Sequence, residues 1–119
     1  MKRLMIVDDS KVIRRRIKRA HGLDGYSVVG TAMDGEQAVN LARQTQPDMI
    51  TIDLTMPNMD GIEAIPILAT LCPDARILVV SALADKATAI RALGQGAHGF
   101  LCKPFTDDEL RTALFELAH

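Results

Sequence analysis

Asp8 and Asp9 follow the apolar run Leu4-Met5-Ile6-Val7, and Asp53 follows Met49-Ile50-Thr51-Ile52. Each run reads as a buried strand, so each acid stands where a strand leaves the core. If the two strand ends are neighbours, three carboxylates converge on one edge of a sheet. Such a group is repulsive until a hard cation occupies it, and carboxylate oxygens suit Mg2+, which takes an octahedral oxygen shell. Two more polar residues stand at strand-like ends: Ser81 follows Ile77-Leu78-Val79-Val80, and Lys103 follows Phe100-Leu101-Cys102. Three carboxylates, a hydroxyl and an ammonium suit phosphoryl transfer. There the charge on the equatorial oxygens is stabilised by metal and cations, and a carboxylate can be the covalent acceptor.

The elements that must position these groups alternate five times along the chain. Strands are predicted at Arg3–Val7, Ser27–Thr31, Met49–Ile52, Arg76–Val80 and His98–Cys102. Helices are predicted near Lys11–His21, Gly35–Thr45, Gly61–Leu71, Ala84–Leu93 and Asp107–Ala118. Asp34-Gly-Glu-Gln37 and Thr106-Asp-Asp-Glu109 both fit a capping box. Leu110, Ala113, Leu114, Leu117 and Ala118 form a helical stripe, so the last helix is half buried. Pro66 falls about five residues into the third helix, where it removes an amide; that helix is expected to kink there or to start late, near Pro66.

Five strand–helix repeats imply an α/β fold with a parallel sheet and helices on both faces. In such sheets ligands bind beyond the carboxyl ends of the strands, where the strand order reverses. In the order 2-1-3-4-5 the reversal lies between strands 1 and 3, those that end in Asp8-Asp9 and Asp53. The residues alone do not yield that order.

The chain has 119 residues and a formal net charge of −1; 48% of its residues are hydrophobic and 24% charged. This is a globular balance that gives no global pull toward nucleic acid or an anionic membrane. Only four residues are aromatic (one Tyr and three Phe), so aliphatic side chains must dominate the core. No apolar stretch approaches the roughly 18 residues of a membrane span, and the start lacks a signal-peptide pattern. The protein is therefore expected to be soluble and cytoplasmic, one domain over 1–119, without membrane insertion. Cys72 and Cys102 lack metal-ligand spacing and are expected to be reduced thiols. Cys102 adjoins Lys103, a neighbour that can lower a thiol's pKa.

At these residues the chain resembles the receiver domain of two-component response regulators, from Lys2 to the last helix. The resemblance rests on Val7-Asp8-Asp9-Ser10, Asp53-Leu-Thr-Met-Pro57-Asn-Met-Asp-Gly61, Ser81-Ala82 and Lys103-Pro104-Phe105. It implies a flavodoxin-like (βα)5 three-layer sandwich with sheet order 2-1-3-4-5. Asp53 would be the phosphoacceptor. Asp8 and Asp9, with Asp53 and the backbone carbonyl of Thr55, would hold Mg2+. Lys103 would contact the phosphoryl group, Ser81 would be the switch hydroxyl and Phe100 the switch aromatic. The Lys103-Pro104 bond would be cis. The resemblance implies no turnover enzyme but a regulatory phosphoacceptor that assists its own phosphorylation and dephosphorylation. Its donor would be a sensor histidine kinase or a histidine phosphotransfer domain. Its target would bind the face formed by the fourth helix, fifth strand and fifth helix, on a monomer or weak dimer. With nothing after the last helix, a stand-alone, chemotaxis-type messenger is expected; a phosphorelay intermediate and the excised receiver of a larger regulator are the alternatives.

Plainer readings accompany these. Asp9-Ser10 fits a helix cap, and Ser81 can cap the fourth helix. The run Lys11, Arg14, Arg15, Arg16, Lys18, Arg19 lies opposite an apolar face of Val12, Ile13, Ile17 and Ala20. Without interleaved aromatics it reads as a solvated face or as a dock for an acidic kinase surface, with no nucleic acid expected. His21, His98 and His119 share no ligand spacing and read as surface or structural residues. An Asp-nucleophile phosphatase would place its aspartates at i and i+2, not adjacent. A flavodoxin-type cofactor carrier would need a Ser/Thr/Gly-rich first loop, where Asp8-Asp9 would repel a phosphate.

Overall fold

Four-residue apolar runs surrounded on both faces occupy the middle of the computed structural model, which describes residues 1–82 and 86–118. The elements are β1 (Lys2–Val7), α1 (Lys11–Lys18), β2 (Tyr26–Ala32), α2 (Gly35–Thr45), β3 (Met49–Ile52), α3 (Gly61–Leu71), β4 (Arg76–Ser81), α4 (Lys86–Gly94), β5 (Gly99–Cys102) and α5 (Asp107–Ala118). The start expected for the fourth helix at Ala84, and His119, lie outside the described residues. The five strands are parallel, in the order β2-β1-β3-β4-β5, so the flavodoxin-like expectation holds. No helix among the described residues is long and apolar enough to cross a membrane.

Because strand side chains alternate, each central strand feeds two cores. Leu4, Ile6, Met49, Leu78 and Val80 pack with Ile17 of α1 and with Leu110 and Leu114 of α5. Met5, Val7, Ile50, Ile52, Ile77 and Val79 pack against Ala38 and Ala42 of α2, Ile65 and Leu68 of α3, and Ala92 of α4. Thr51 is the exception to the aliphatic rule. It is 1% exposed, and among the described residues its hydroxyl has no hydrogen-bond partner. Burying an unpaired hydroxyl costs free energy, so Thr51→Val is expected to stabilise the protein by about 1 kcal/mol. A denaturant midpoint that falls rather than rises would show that the hydroxyl is satisfied.

Local signals act where expected. Thr106 accepts from the Glu109 amide at 3.1 Å while Glu109 accepts from the Thr106 amide at 2.9 Å, a complete capping box. Asp34 accepts from the Gln37 amide at 2.8 Å, but the Gln37 carbonyl oxygen turns to the Met33 amide at 3.0 Å, one residue further back.

Several boundaries differ from expectation. α1 ends at Lys18, not His21. Its last carbonyls are taken by the Arg19 and Ala20 amides, and the His21 amide leaves the helix for Asp107 Oδ2 at 3.1 Å. Gly22, at φ +87°, then turns the chain toward β2, a conformation that favours glycine. α3 does not start late. It begins at Gly61 behind the Asp60 cap, whose side chain accepts from the Glu63 amide at 2.9 Å, and it holds Pro66 in its interior on the exposed face. The cap and the buried stripe of Ala64, Ile65 and Leu68 outweigh the amide lost at Pro66.

β5 begins at Gly99 because His98 pairs differently. Its amide donates to the Ile77 carbonyl at 2.8 Å, and its Nδ1 accepts from the Ile77 amide at 2.9 Å, standing in for a backbone carbonyl. Burial, and next the charge of Arg76, hold the imidazole pKa below its ordinary 6.5. A folded pKa below the unfolded one means that protonation favours unfolding. The stability from this contact is therefore present above pH 6.5 and is lost as pH falls through the lowered folded value. His98→Leu is expected to flatten this acid-side loss in thermal unfolding measured at a series of pH values.

Candidate functional site

The register of the two central strands sets the site. Val7 of β1 lies opposite Ile52 of β3, so Asp8 and Asp53 are the next residues on neighbouring strands. Their backbones are held: the Asp8 amide donates to Ala32 O at 3.0 Å and the Asp53 amide to Val7 O at 3.0 Å. Asp8 is 1% exposed and Asp53 6%, whereas Asp9 is exposed. One carboxylate oxygen from each of the three lies within 4.8 Å of the others. Lys103, at the end of β5, reaches across the strand ends and places Nζ 2.8 Å from Asp8 Oδ2 and 3.2 Å from Asp53 Oδ2.

Three carboxylates against one ammonium leave a formal excess of two negative charges at the strand ends, where Asp8 and Asp53 are buried. The pKa directions locate the cost. Burial raises the Asp8 pKa, the hydrogen bonds from Lys103 and from the Ser10 amide oppose it, and the Asp53 charge adds to the rise; the net direction is up. Burial alone would lower the Lys103 pKa, but its hydrogen bond to Asp8 and the charges of Asp53 and Asp8 outweigh it and raise it. Both directions are consistent: desolvation acts on both groups and prevails at Asp8, while two nearby carboxylates outweigh it at Lys103. An all-oxygen donor set with two uncompensated charges fits a hard divalent cation such as Mg2+.

The other residues singled out from sequence lie around this centre. Ser81 is buried at the end of β4, opposite Cys102 of β5, and its carbonyl accepts from the Lys103 amide at 2.9 Å. Phe100 is half-buried on β5, opposite Val79, and packs against the core on the α2–α3 side. Thr55 is exposed, and its amide points to Asp53 Oδ1 at 3.4 Å. The Lys103-Pro104 bond is cis. The Cys102 thiol and the Lys103 ammonium turn to different partners. Lys103 aims its ammonium at the carboxylates, and the Cys102 thiol donates to the Lys103 carbonyl at 3.5 Å.

The basic run of α1 needs a correction. Val12 is 74% exposed and does not belong to the apolar face. Arg14 and Arg16 are not simply solvated: Arg14 Nη1 donates to the Asp8 carbonyl at 2.7 Å, and Arg16 Nη2 donates to the Phe105 carbonyl at 2.6 Å. The Arg16 guanidinium also lies 5.2 Å from the centre of the Phe105 ring. These two arginines brace the loops that carry Asp8 and Lys103. Gly61 is a further structural partner. Its amide donates to Leu54 O at 3.0 Å, and a Cβ there would overlap the Asp53 carbonyl oxygen. The Asp53–Gly61 segment carries the Gly; only the fold shows why no larger residue fits.

The response regulator receiver domain family matches residues 4–115. The chemotaxis protein CheY of Thermotoga maritima is 40% identical over 113 residues, covering 95% of this chain and 94% of that protein. The CheX-CheY-BeF3-Mg+2 complex from Borrelia burgdorferi shows the same fold at TM-score 0.94 and 28% identity, over 99% of this chain and 90% of that one. A Burkholderia pseudomallei response regulator, solved with a phosphorylated aspartic acid, calcium ion and citrate, aligns at TM-score 0.87 and 35% identity, over 96% of this chain and 66% of that one. Strand-end acids bridged by a lysine, on this fold and with these relatives, lead to one conclusion: the chain belongs to the response regulator receiver domain family.

Proposed function

We propose that the chain is a phosphorylation-controlled signalling switch, one receiver domain over residues 1–119, that accepts a phosphoryl group on Asp53. The observation that carries this reading is the Asp53 carboxylate at the end of a central strand, 3.2 Å from Lys103 Nζ and clustered with Asp8 and Asp9. An Asp53 carboxylate oxygen forms the new bond to phosphorus as the bond to the donor breaks. The donor, a phosphohistidine on a sensor kinase or phosphotransfer domain, leaves as neutral imidazole after taking up a proton. Asp8, Asp9 and Asp53, with the Thr55 carbonyl, would hold Mg2+, which supplies positive charge against the phosphoryl oxygens. Lys103 neutralises one of those oxygens, moving from the carboxylates it bridges, and the Ser81 hydroxyl bonds another. Phe100 follows Ser81 when the switch turns.

The relatives support this reading: the Burkholderia protein contains a phosphorylated aspartic acid, and the Borrelia complex contains BeF3 and Mg. On α1, Lys11, Arg15 and Lys18 present the charge for an acidic donor surface, since Arg14 and Arg16 are engaged internally. The phosphorylated form signals through the α4–β5–α5 face in the cytoplasm, as a monomer or weak dimer. Incubation with acetyl phosphate and MgCl2, read by intact mass, is expected to add one phosphoryl group. Asp53→Asn is expected to abolish the adduct. An adduct that persists in Asp53→Asn would overturn the site, and none in the wild type would overturn the reading.

A further inference from the structure

β1 and β2 begin side by side at the end of the sheet away from Asp53, with Lys2 opposite Tyr26 in register. Asp8 follows the other end of β1, about 20 Å away at a rise of about 3.3 Å per residue. Arg111, Phe115 and Ala118 stand at i, i+4 and i+7 on α5, so they share one helix face, and that face borders the two strand starts. Between them lies a pocket of about 330 Å3, with Gly22 and Gly25 of the α1–β2 connection as its remaining wall. Gly22 makes room for Arg111, because a Cβ there would stand 2.5 Å from Arg111 Cδ; at Gly25 a Cβ would meet nothing within 4 Å. No carboxylate is among the lining residues. Among the described residues, neither the Lys2 ammonium nor the Tyr26 hydroxyl has a hydrogen-bond or ion-pair partner. Arg111 pairs with Asp108 at 3.2 Å, but those side chains are 49% and 87% exposed, so solvent screens the pair. The Phe115 ring is 58% exposed. Burial holds the Tyr26 pKa above its ordinary 10.0, so the phenol keeps its proton and is a donor.

We propose that this pocket binds a small aromatic anion, its ring against Phe115 and Tyr26 and its phosphate or carboxylate between Arg111 and Lys2. Each part of the ligand answers a group on the page. A guanidinium offers a planar fork to two oxygens of a carboxylate or phosphate, and an ammonium adds a second charge from the opposite wall. The phenol supplies a neutral donor beside them. Phe115 and Ala118 leave apolar surface in contact with water, which a flat ring would cover. The volume sets the size. Small-molecule sites span roughly 300 to 1,000 Å3, so this one suits a single ring system with its charged group rather than a dinucleotide. A cation is disfavoured by Lys2 and Arg111, and a neutral ring would leave both without an anion. The pocket stands at the opposite end of the sheet from Asp53, so the proposal goes beyond the phosphorylation reading and does not depend on it.

The test titrates the full chain, without MgCl2, with phenyl phosphate, benzoate, benzyl alcohol and inorganic phosphate. Binding and its position are read from amide chemical shifts. Phenyl phosphate and benzoate are expected to shift Gly22, Gly25, Tyr26 and Phe115. Benzyl alcohol, which lacks the charge, and inorganic phosphate, which lacks the ring, are each expected to bind about tenfold more weakly. Tighter binding of phenyl phosphate assigns a phosphate ester and tighter binding of benzoate a carboxylate; either supports the site. Arg111→Gln and Lys2→Gln are each expected to weaken the tighter ligand about tenfold. Gly25→Leu, which projects into open space, is expected to fill the pocket and abolish binding while the melting temperature holds. All three variants are expected to keep the acetyl phosphate adduct on Asp53. Shifts confined to the Asp8–Asp53–Lys103 end, inorganic phosphate or benzyl alcohol binding as tightly as the aromatic anions, or unchanged affinity in both Arg111→Gln and Lys2→Gln overturns the proposal. Loss of the Asp53 adduct in the wild type would count against the phosphorylation reading alone, so the two fail separately.

Discussion

Lys103→Ala is expected to destabilise the metal-free protein by about 3 kcal/mol, one of the two largest single-residue effects predicted for this chain. The ammonium is only 15% exposed and bonds two carboxylates that are themselves nearly buried. Removing it leaves Asp8, Asp9 and Asp53 with no cation, and breaking a buried pair costs more than the pair contributes. The pH dependence has a fixed sign. The Asp8 pKa is already raised above 3.8 by burial. A raised folded pKa means that stability is fully present below the unfolded value and lost as pH rises through the folded one. Without Lys103 the folded pKa rises further, so the deficit of Lys103→Ala is expected to be large at pH 7 and to shrink toward pH 5. Added MgCl2 is expected to recover much of it at pH 7, because a divalent cation answers the same charge. Thermal melts of both proteins with and without the salt check this. A loss below about 1 kcal/mol that ignores both pH and Mg2+ would mean that the carboxylates are not coupled to Lys103.

The second large effect comes from a residue with no chemistry of its own. Gly61→Ala would place a methyl group into the Asp53 carbonyl oxygen and 2.8 Å from Leu54 Cα. These are backbone atoms of the loop that carries Asp53, so no side chain can swing aside. Overpacking of this kind costs about 3 kcal/mol, and here the displaced segment is the site. A shift of about 1 Å in a reacting group can cost about 100-fold in rate. Adduct formation from acetyl phosphate is therefore expected to slow by that order, beyond what the lower stability explains. A variant that loses stability but labels at the wild-type rate would show that the loop moves without moving the carboxylate.

How much of this was legible in the residues differs by feature. The β3 run Met49–Ile52 and the Arg76 start of β4 were readable to the residue, because a strand buried on both faces admits little but aliphatic side chains. The end of α1 was not. His21 continues a helical pattern, but its amide is claimed by Asp107, 86 residues away. β5 likewise lost His98 to a side chain that mimics a carbonyl, a substitution that periodicity does not register. The arginines of α1 read as a solvated or docking face, because spacing assigns a face and says nothing about which carbonyl waits above it.

What the sequence determined by itself was local: which segments are buried, where helices are capped, and that acids stand at the ends of two core strands. These follow from the hydrophobic effect and from hydrogen bonds among residues near in sequence. What the tertiary structure decided was who meets whom. Asp8 and Asp53 become neighbours only because β1 and β3 pair in register. Lys103 closes the site from 95 residues beyond Asp8 and 50 beyond Asp53. Those distances are spanned by parallel crossovers, whose order is set by the packing of all five helices at once. The acids were written in the chain; their meeting was settled by the sheet.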